Sequence, residues 1–280
     1  MSVGLVLEGG SMRGMYTAGV IDVFLENNIQ INKMIGVSAG VLFGINYMSN
    51  QPGRVIRYNK RFVNDSRYMG FKSLITTGNI INKDFAYYDI PFNIDVFDEE
   101  TFEKSDCELY AGVTNVETGK PEFFKVNNGF EDMELLRATS SMPFVSKMVI
   151  WNGKKYLDGG ISDSIPIEKC QELGCDKIIV VLTRPLDYLK TKTNTLLPKL
   201  FYRKYPNLVN SINTRYKRYN ETLKKLQFLE DKKEIFVIRP SKDLHIKRIE
   251  KDVNKLQEMY DLGITDMNEN LNNLKEYLDI

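Results

Sequence analysis

Gly36-Val37-Ser38-Ala39-Gly40 sets a serine between two glycines, one residue away on each side. Residues 34–37 read as a short buried strand and 39–48 as a buried helix. In that context the pattern predicts a tight strand-to-helix turn with the serine hydroxyl raised over the end of a sheet. Gly36 and Gly40 are the residues that such a turn requires to be small. The predicted chemistry is nucleophilic: the Ser38 hydroxyl attacks a carbonyl carbon. The plainer reading is a small-residue packing turn.

A serine hydroxyl needs a base. Asp158 follows the predicted strand 154–157 and precedes Gly159-Gly160, so its carboxylate can be held stiffly while the chain approaches a neighbour closely. An ordinary Asp-Gly turn is the alternative. His245 is the chain's single histidine, and the order Ser38, Asp158, His245 suits a hydrolase triad. It lies in the charged stretch Arg239-Pro240-Ser241-Lys242-Asp243-Leu244-His245-Ile246-Lys247-Arg248, which reads as solvated surface. Residue types alone leave a Ser-Asp dyad and a triad both open.

The third element is Gly9-Gly10-Ser11-Met12-Arg13-Gly14, between a predicted strand and a predicted helix. Backbone N–H groups at such a junction suit an anion, either a phosphate or the oxyanion of a tetrahedral intermediate. Dinucleotide binding would want an acid at the end of the second strand, and that strand ends at Val37-Ser38. The oxyanion reading is the better match, and one such donor contributes on the order of 3 kcal/mol to lowering a barrier.

These three parts must be carried by a scaffold. The opening reads as strand, glycine loop, helix, strand, turn and helix, which implies a mostly parallel sheet covered by helices. Residues 63–104 show no clean period and predict short helices and loops over a cleft. Strands are expected at 107–116 and 122–126, a short helix at 131–139, and a hairpin at 149–157 turning at Asn152-Gly153. A helix at 166–173 and a buried strand at 177–183 follow. The tail predicts one strand at 235–238 and two helices, near 246–262 and 264–278.

The chain of 280 residues is 42% hydrophobic with a net charge of +1, so bulk charge predicts no nucleic-acid partner. Three cysteines without a CxxC pair, and one histidine, predict reduced structural thiols, no metal site and no cofactor. No apolar stretch approaches eighteen residues, and the first residues lack the pattern of a secretory leader. The expected location is the cytoplasm, with peripheral membrane contact as an extension of that reading.

The Gly-Gly-x-x-Arg-Gly loop, the Gly-x-Ser-x-Gly turn and the later Asp158-Gly159-Gly160, in that order, resemble the patatin-like phospholipases. Ala138-Thr139-Ser140-Ser141-Met142-Pro143-Phe144 is similar to the segment that family carries before its Asp-Gly-Gly. The resemblance covers roughly residues 3–185. It implies a three-layer α/β/α fold and a Ser38–Asp158 dyad working through an acyl-enzyme. It further implies an oxyanion hole from the N–H groups around Gly10, Ser11 and Met12, with Arg13 fixing the loop, and no metal. The family has glycine where this chain has Ser11, and a Cβ there adds strain if φ is positive.

The expected organisation is a catalytic domain at 1–189 and an extension at 190–280 with a basic helical segment and a strand-helix part. Residues 190–225 hold ten Lys or Arg and one acid, Glu221. That section suits anionic phospholipid headgroups, or is simply a solvated helical face. The expected function is hydrolysis of lipid acyl esters, by lipase, phospholipase A or carboxylesterase chemistry. The alternatives are a lipid-binding protein of the same fold with impaired catalysis, and an esterase using His245.

Overall fold

Val3–Leu7 is buried along its whole length and apolar on both faces, as a strand covered by helices on two sides must be. The computed structural model, which describes residues 1–193 and 195–280, builds outward from it. The chain runs β1 (Val3–Leu7), α1 (Met15–Glu26), β2 (Lys33–Val37), α2 (Ala39–Met48), α3 (Arg54–Phe62), α4 (Phe71–Thr77), a π-helix (Phe85–Ile94) and α5 (Glu99–Glu103). It continues β3 (Glu108–Asn115), β4 (Pro121–Val126), α6 (Met133–Thr139), β5 (Val149–Trp151), β6 (Lys154–Asp158), α7 (Ile167–Glu172) and β7 (Lys177–Val181). Then come α8 (Leu196–Phe201), α9 (Pro206–Asp231), β8 (Phe236–Ile238) and α10 (Val253–Tyr277).

One eight-stranded sheet has the order β5-β6-β3-β2-β1-β7-β8, with β4 also on β3. The run β3-β2-β1-β7-β8 is parallel, and β4, β5 and β6 pair antiparallel. Side chains alternate between the two faces. Leu5 and Leu7 join Phe24, Val41 and Leu256 from α1, α2 and α10 in one core. Val6, Ile35 and Val180 join Ile167, Tyr219 and Leu226 from α7 and α9 in another. The result is three layers, helices over a sheet over helices.

The tail is woven into this scaffold. β8 extends the sheet beside β7, and α10 lies along α1. The two expected tail helices are one, and it starts later than expected. Residues 246–252 are irregular, and Asp252 caps α10 by accepting from the N–H groups of Asn254 and Lys255. Gly263 marks a crossing rather than a break. A Cβ on Gly263 would stand 2.2 Å from Tyr16 O, and one on Gly19 2.2 Å from Tyr260 O. The two helices touch backbone to backbone there.

The expected hairpin turns at Asn152 and Gly153, both with positive φ (47° and 74°). Over the cleft, the π-helix contains Pro91, and Arg54 ties its far end down by donating to Asp95 O and Asn46 Oδ1. Wide turns of this kind favour functional surfaces.

Candidate active site

Ser38 caps α2 with φ 54° and ψ −128°, a conformation that costs a non-glycine residue energy and is held by its surroundings. Gly40 makes the bend possible, because a Cβ there would stand 2.7 Å from Leu7 O at the end of β1. The Ser38 N–H donates to Thr139 Oγ1 at 2.9 Å, and that hydroxyl donates to Gly112 O at 2.6 Å. Thr139 thus locks the elbow to β3 from beneath.

Asp158 ends β6. Its backbone N–H donates to Ser141 O at 2.8 Å, and its carboxylate accepts from the Gly160 N–H at 2.8 Å and lies near enough to the Ser38 hydroxyl to feel it. The segment 138–144 therefore grips both residues, through Thr139 on one side and Ser141 on the other. Gly159 lies so close to β3 that a Cβ would meet Gly112 O at 2.1 Å. Burial raises the Asp158 pKa above the ordinary carboxylate value. Arg215, the neighbouring Ser38 hydroxyl, the bond from Gly160 and Arg248 pull it back down.

The glycine loop reaches the same spot. A Cβ on Gly9 would stand 3.2 Å from Ser38 Cβ, and Ser11, Met12 and Ser38 line one cleft. The Gly9 N–H is taken by Ser164 O and that of Arg13 by Gly10 O. Among the described residues, the N–H groups of Gly10, Ser11 and Met12 meet no protein acceptor. Gly14 packs close to Phe43 and Ala39 at the start of α1. Ser11 does adopt positive φ, 52°, and its hydroxyl donates to Arg248 O at 2.6 Å.

Arg13 lies just before Gly14 in the same loop. Its Nε is buried without a partner, so the guanidinium does not tie the loop by that atom. It lies instead in a crowd of cations around the buried Glu8, whose carboxylate accepts from Thr183 N, Thr183 Oγ1 and the Tyr219 hydroxyl. Burial and then the neighbouring Arg184 lower Arg13 to about 10. Lys190 stands 3.8 Å over the Tyr219 ring, and burial followed by Arg215 lowers it to about 6.

His245 does not join the site. Its side chain is 86% exposed, with Asp243 Oδ2 at 3.7 Å, whereas Asp158 is buried beside Ser38. Sequence reasoning missed Thr139, Ser141, Arg215 and Arg248 as supports of the pair. For Thr139 and Ser141 the similarity of segment 138–144 was a signal; for Arg215 and Arg248 none existed.

Beside Ser38 opens a cleft of about 1080 Å³, part of it open to solvent. Leu42, Phe43, Tyr58, Tyr87, Ile90 and Phe92 are among its walls. Such a wall offers dispersion contact to an aliphatic chain and few polar partners.

A family model described as patatin-like phospholipase matches residues 5–170, and one described as a domain of unknown function (DUF6363) matches 205–279. The uncharacterized protein YjjU of Escherichia coli is 28% identical over 276 residues, covering 93% of this chain and 74% of its own. The lysophospholipase nte1 of Aspergillus oryzae is 28% identical over 191 residues, 66% of this chain. The match spans only 12% of that much longer protein. VipD of Legionella pneumophila aligns over 96% of this chain and 67% of its own, with a TM-score of 0.42 and 11% identity.

Proposed function

We propose that this chain, which belongs to the patatin-like phospholipase family, is a serine hydrolase that cleaves acyl esters of lipids through Ser38 and Asp158. The observation that carries the reading is one convergence. The Ser38 hydroxyl sits beside a buried carboxylate, while the unpaired backbone N–H groups of Ser11 and Met12 line the same cleft and that of Gly10 adjoins them in the loop.

Asp158 accepts the Ser38 proton as Oγ bonds to the ester carbonyl carbon. The carbonyl oxygen becomes an oxyanion that the N–H groups of Gly10, Ser11 and Met12 are free to bind. Collapse expels the alcohol, which takes the proton back from Asp158, and leaves an acyl-enzyme on Ser38. Asp158 then deprotonates a water, which attacks the acyl carbon; the bond to Ser38 Oγ breaks, Oγ takes that proton back from Asp158, and the fatty acid is released. The apolar cleft favours an aliphatic acyl chain, and lysophospholipase relatives point to a lipid ester.

The test is labelling with a fluorophosphonate probe together with turnover of a short p-nitrophenyl ester. The wild type labels and turns over. Ser38→Ala loses both, and Asp158→Asn loses turnover by orders of magnitude. An unlabelled wild type, or undiminished turnover in either variant, ends the reading and favours a lipid-binding protein that has lost catalysis.

A further inference from the structure

The chain carries 38 basic and 37 acidic residues, yet its charges are segregated. Three segments are linked in space: residues 66–83 to 138–157 by backbone and side-chain bonds, and 138–157 to 188–220 through Phe144. They hold three, three and eight Lys or Arg and no Asp or Glu at all. The first two contain Met69, Ile80, Ile81, Ser140 and Met142, all lining the cleft.

The same segments expose a band of large apolar side chains. On α4, Phe71 and Ile75 stand 74% and 68% exposed, four residues apart and so on one face. The chain after α4 is bonded to the middle segment, with Ile80 N–H on Val145 O at 2.7 Å and Lys147 N–H on Asn79 Oδ1 at 2.9 Å. That segment presents Phe144, whose ring packs at 5.5 Å on Phe201 of α8. On α8 itself, Leu200 and Phe201 are 74% and 59% exposed. These links join α4 through Phe144 to α8, and the connecting chain carries Ile80, Ile81 and Met142, which line the cleft. Lys72, Lys147, Lys199, Arg203 and Lys204 are exposed among these residues and make no ion pair with a carboxylate among the described residues.

We propose that this collar docks the protein on an anionic phospholipid bilayer, with the mouth of the cleft turned toward the lipid. Apolar side chains at the tips of α4 and α8 enter the interface, and the cations around them lie at the level of the headgroups. Water would solvate the cations equally well, but it gives no reason for five large apolar side chains to share their surface. The absence of any carboxylate from all three segments of a nearly neutral chain selects a negatively charged partner. If the chain is the hydrolase proposed above, an acyl chain passes from bilayer to cleft without crossing water. The docking itself does not need that reading.

The experiment uses the full chain carrying Ser38→Ala, so that lipid is not consumed. Binding is measured by co-sedimentation with vesicles of phosphatidylcholine alone and of a two-to-one mixture of phosphatidylcholine and phosphatidylglycerol. The mixed vesicles bind more tightly, and added salt weakens them. Phe71→Ser and Leu200→Ser each reduce binding by about tenfold. Arg203→Glu reduces it by at least about fivefold. In the Ser38 background, Phe71→Ser leaves turnover of a water-soluble ester unchanged. Equal binding to both vesicles, no binding, indifference to these substitutions, or a homodimer that covers the band would overturn the proposal. Vesicle binding without ester turnover by the wild type would retire the hydrolase reading and leave the docking standing.

Discussion

Arg215 Nη2 and Asp158 Oδ1 each lie 3.0 Å from the point where a Cβ on Gly160 would sit. An arginine from α9, within the segment matched by the domain of unknown function, thus shares the space over the second glycine of Asp-Gly-Gly with the proposed base. Its Nε and Nη2 are both 3.3 Å from Ser164 Oγ, which donates to Gly160 O at 2.8 Å. Arg218, one turn on, donates to Ile161 O and Ser162 O and pins the helix to the turn. The two matched segments are therefore joined at the site.

This arrangement sets a pH dependence. In the proposed reaction Asp158 would serve as base only when ionised, and burial raises its pKa, so turnover is expected to fall as pH drops through that value. Asp158 faces Ser38, the Gly160 N–H, Arg215, Arg248 and Tyr87; Arg215 faces Asp158, Arg248, Glu8 and Tyr219. Arg215→Met removes the largest influence lowering Asp158, so the acid limb of kcat/KM moves to higher pH. Arg215→Lys restores part of the shift. An acid limb that stays in place in the folded Met variant shows that Arg215 does not act on Asp158.

Ser11 tests whether the extension compensates for a departure in the glycine loop. A side chain at φ 52° costs about 1 kcal/mol, and the bond to Arg248 O returns a comparable amount. Ser11→Ala keeps the strain and loses the bond, so it destabilises by about 1 kcal/mol in urea unfolding. Ser11→Gly loses both and stays near neutral. Fluorophosphonate labelling persists in both, since the donors are backbone groups. A glycine variant less stable than the alanine variant would contradict this account.

Thr139 and His245 separate structural support from catalysis. Thr139→Val leaves the Ser38 N–H and Gly112 O unpaired in the interior and costs about 2 kcal/mol, with a fall in kcat as the elbow loosens. His245→Gln changes neither stability nor turnover, because its side chain stands in solvent. A large loss of turnover in His245→Gln would revive the triad.

Gly263→Ala forces a methyl against Tyr16 O where α10 crosses α1. Overpacking of this kind costs about 1–3 kcal/mol, and thermal unfolding should register it as one lowered transition. Separate transitions for residues before and after position 190 would show instead that the tail folds on its own.

The sequence by itself determined the parts whose chemistry is local. Glycines flanking a serine, an acid before two glycines, and a glycine loop each need only their neighbours to form. Their order along the chain pointed to a family and its layered fold, which the sheet and its two helix layers show. Short continuous apolar runs made β1, β2 and β7 legible for the same reason. Only the tertiary structure decided what surrounds them. Arg215 and Arg248 sit 57 and 90 residues beyond Asp158 in helix and loop sequence with no motif of its own. Charge acts across space, whatever the separation along the chain. Gly263 looked like a helix boundary because backbone contact between α1 and α10 leaves no periodic signal in either helix. The collar, too, emerges only when three segments far apart in sequence are linked in space.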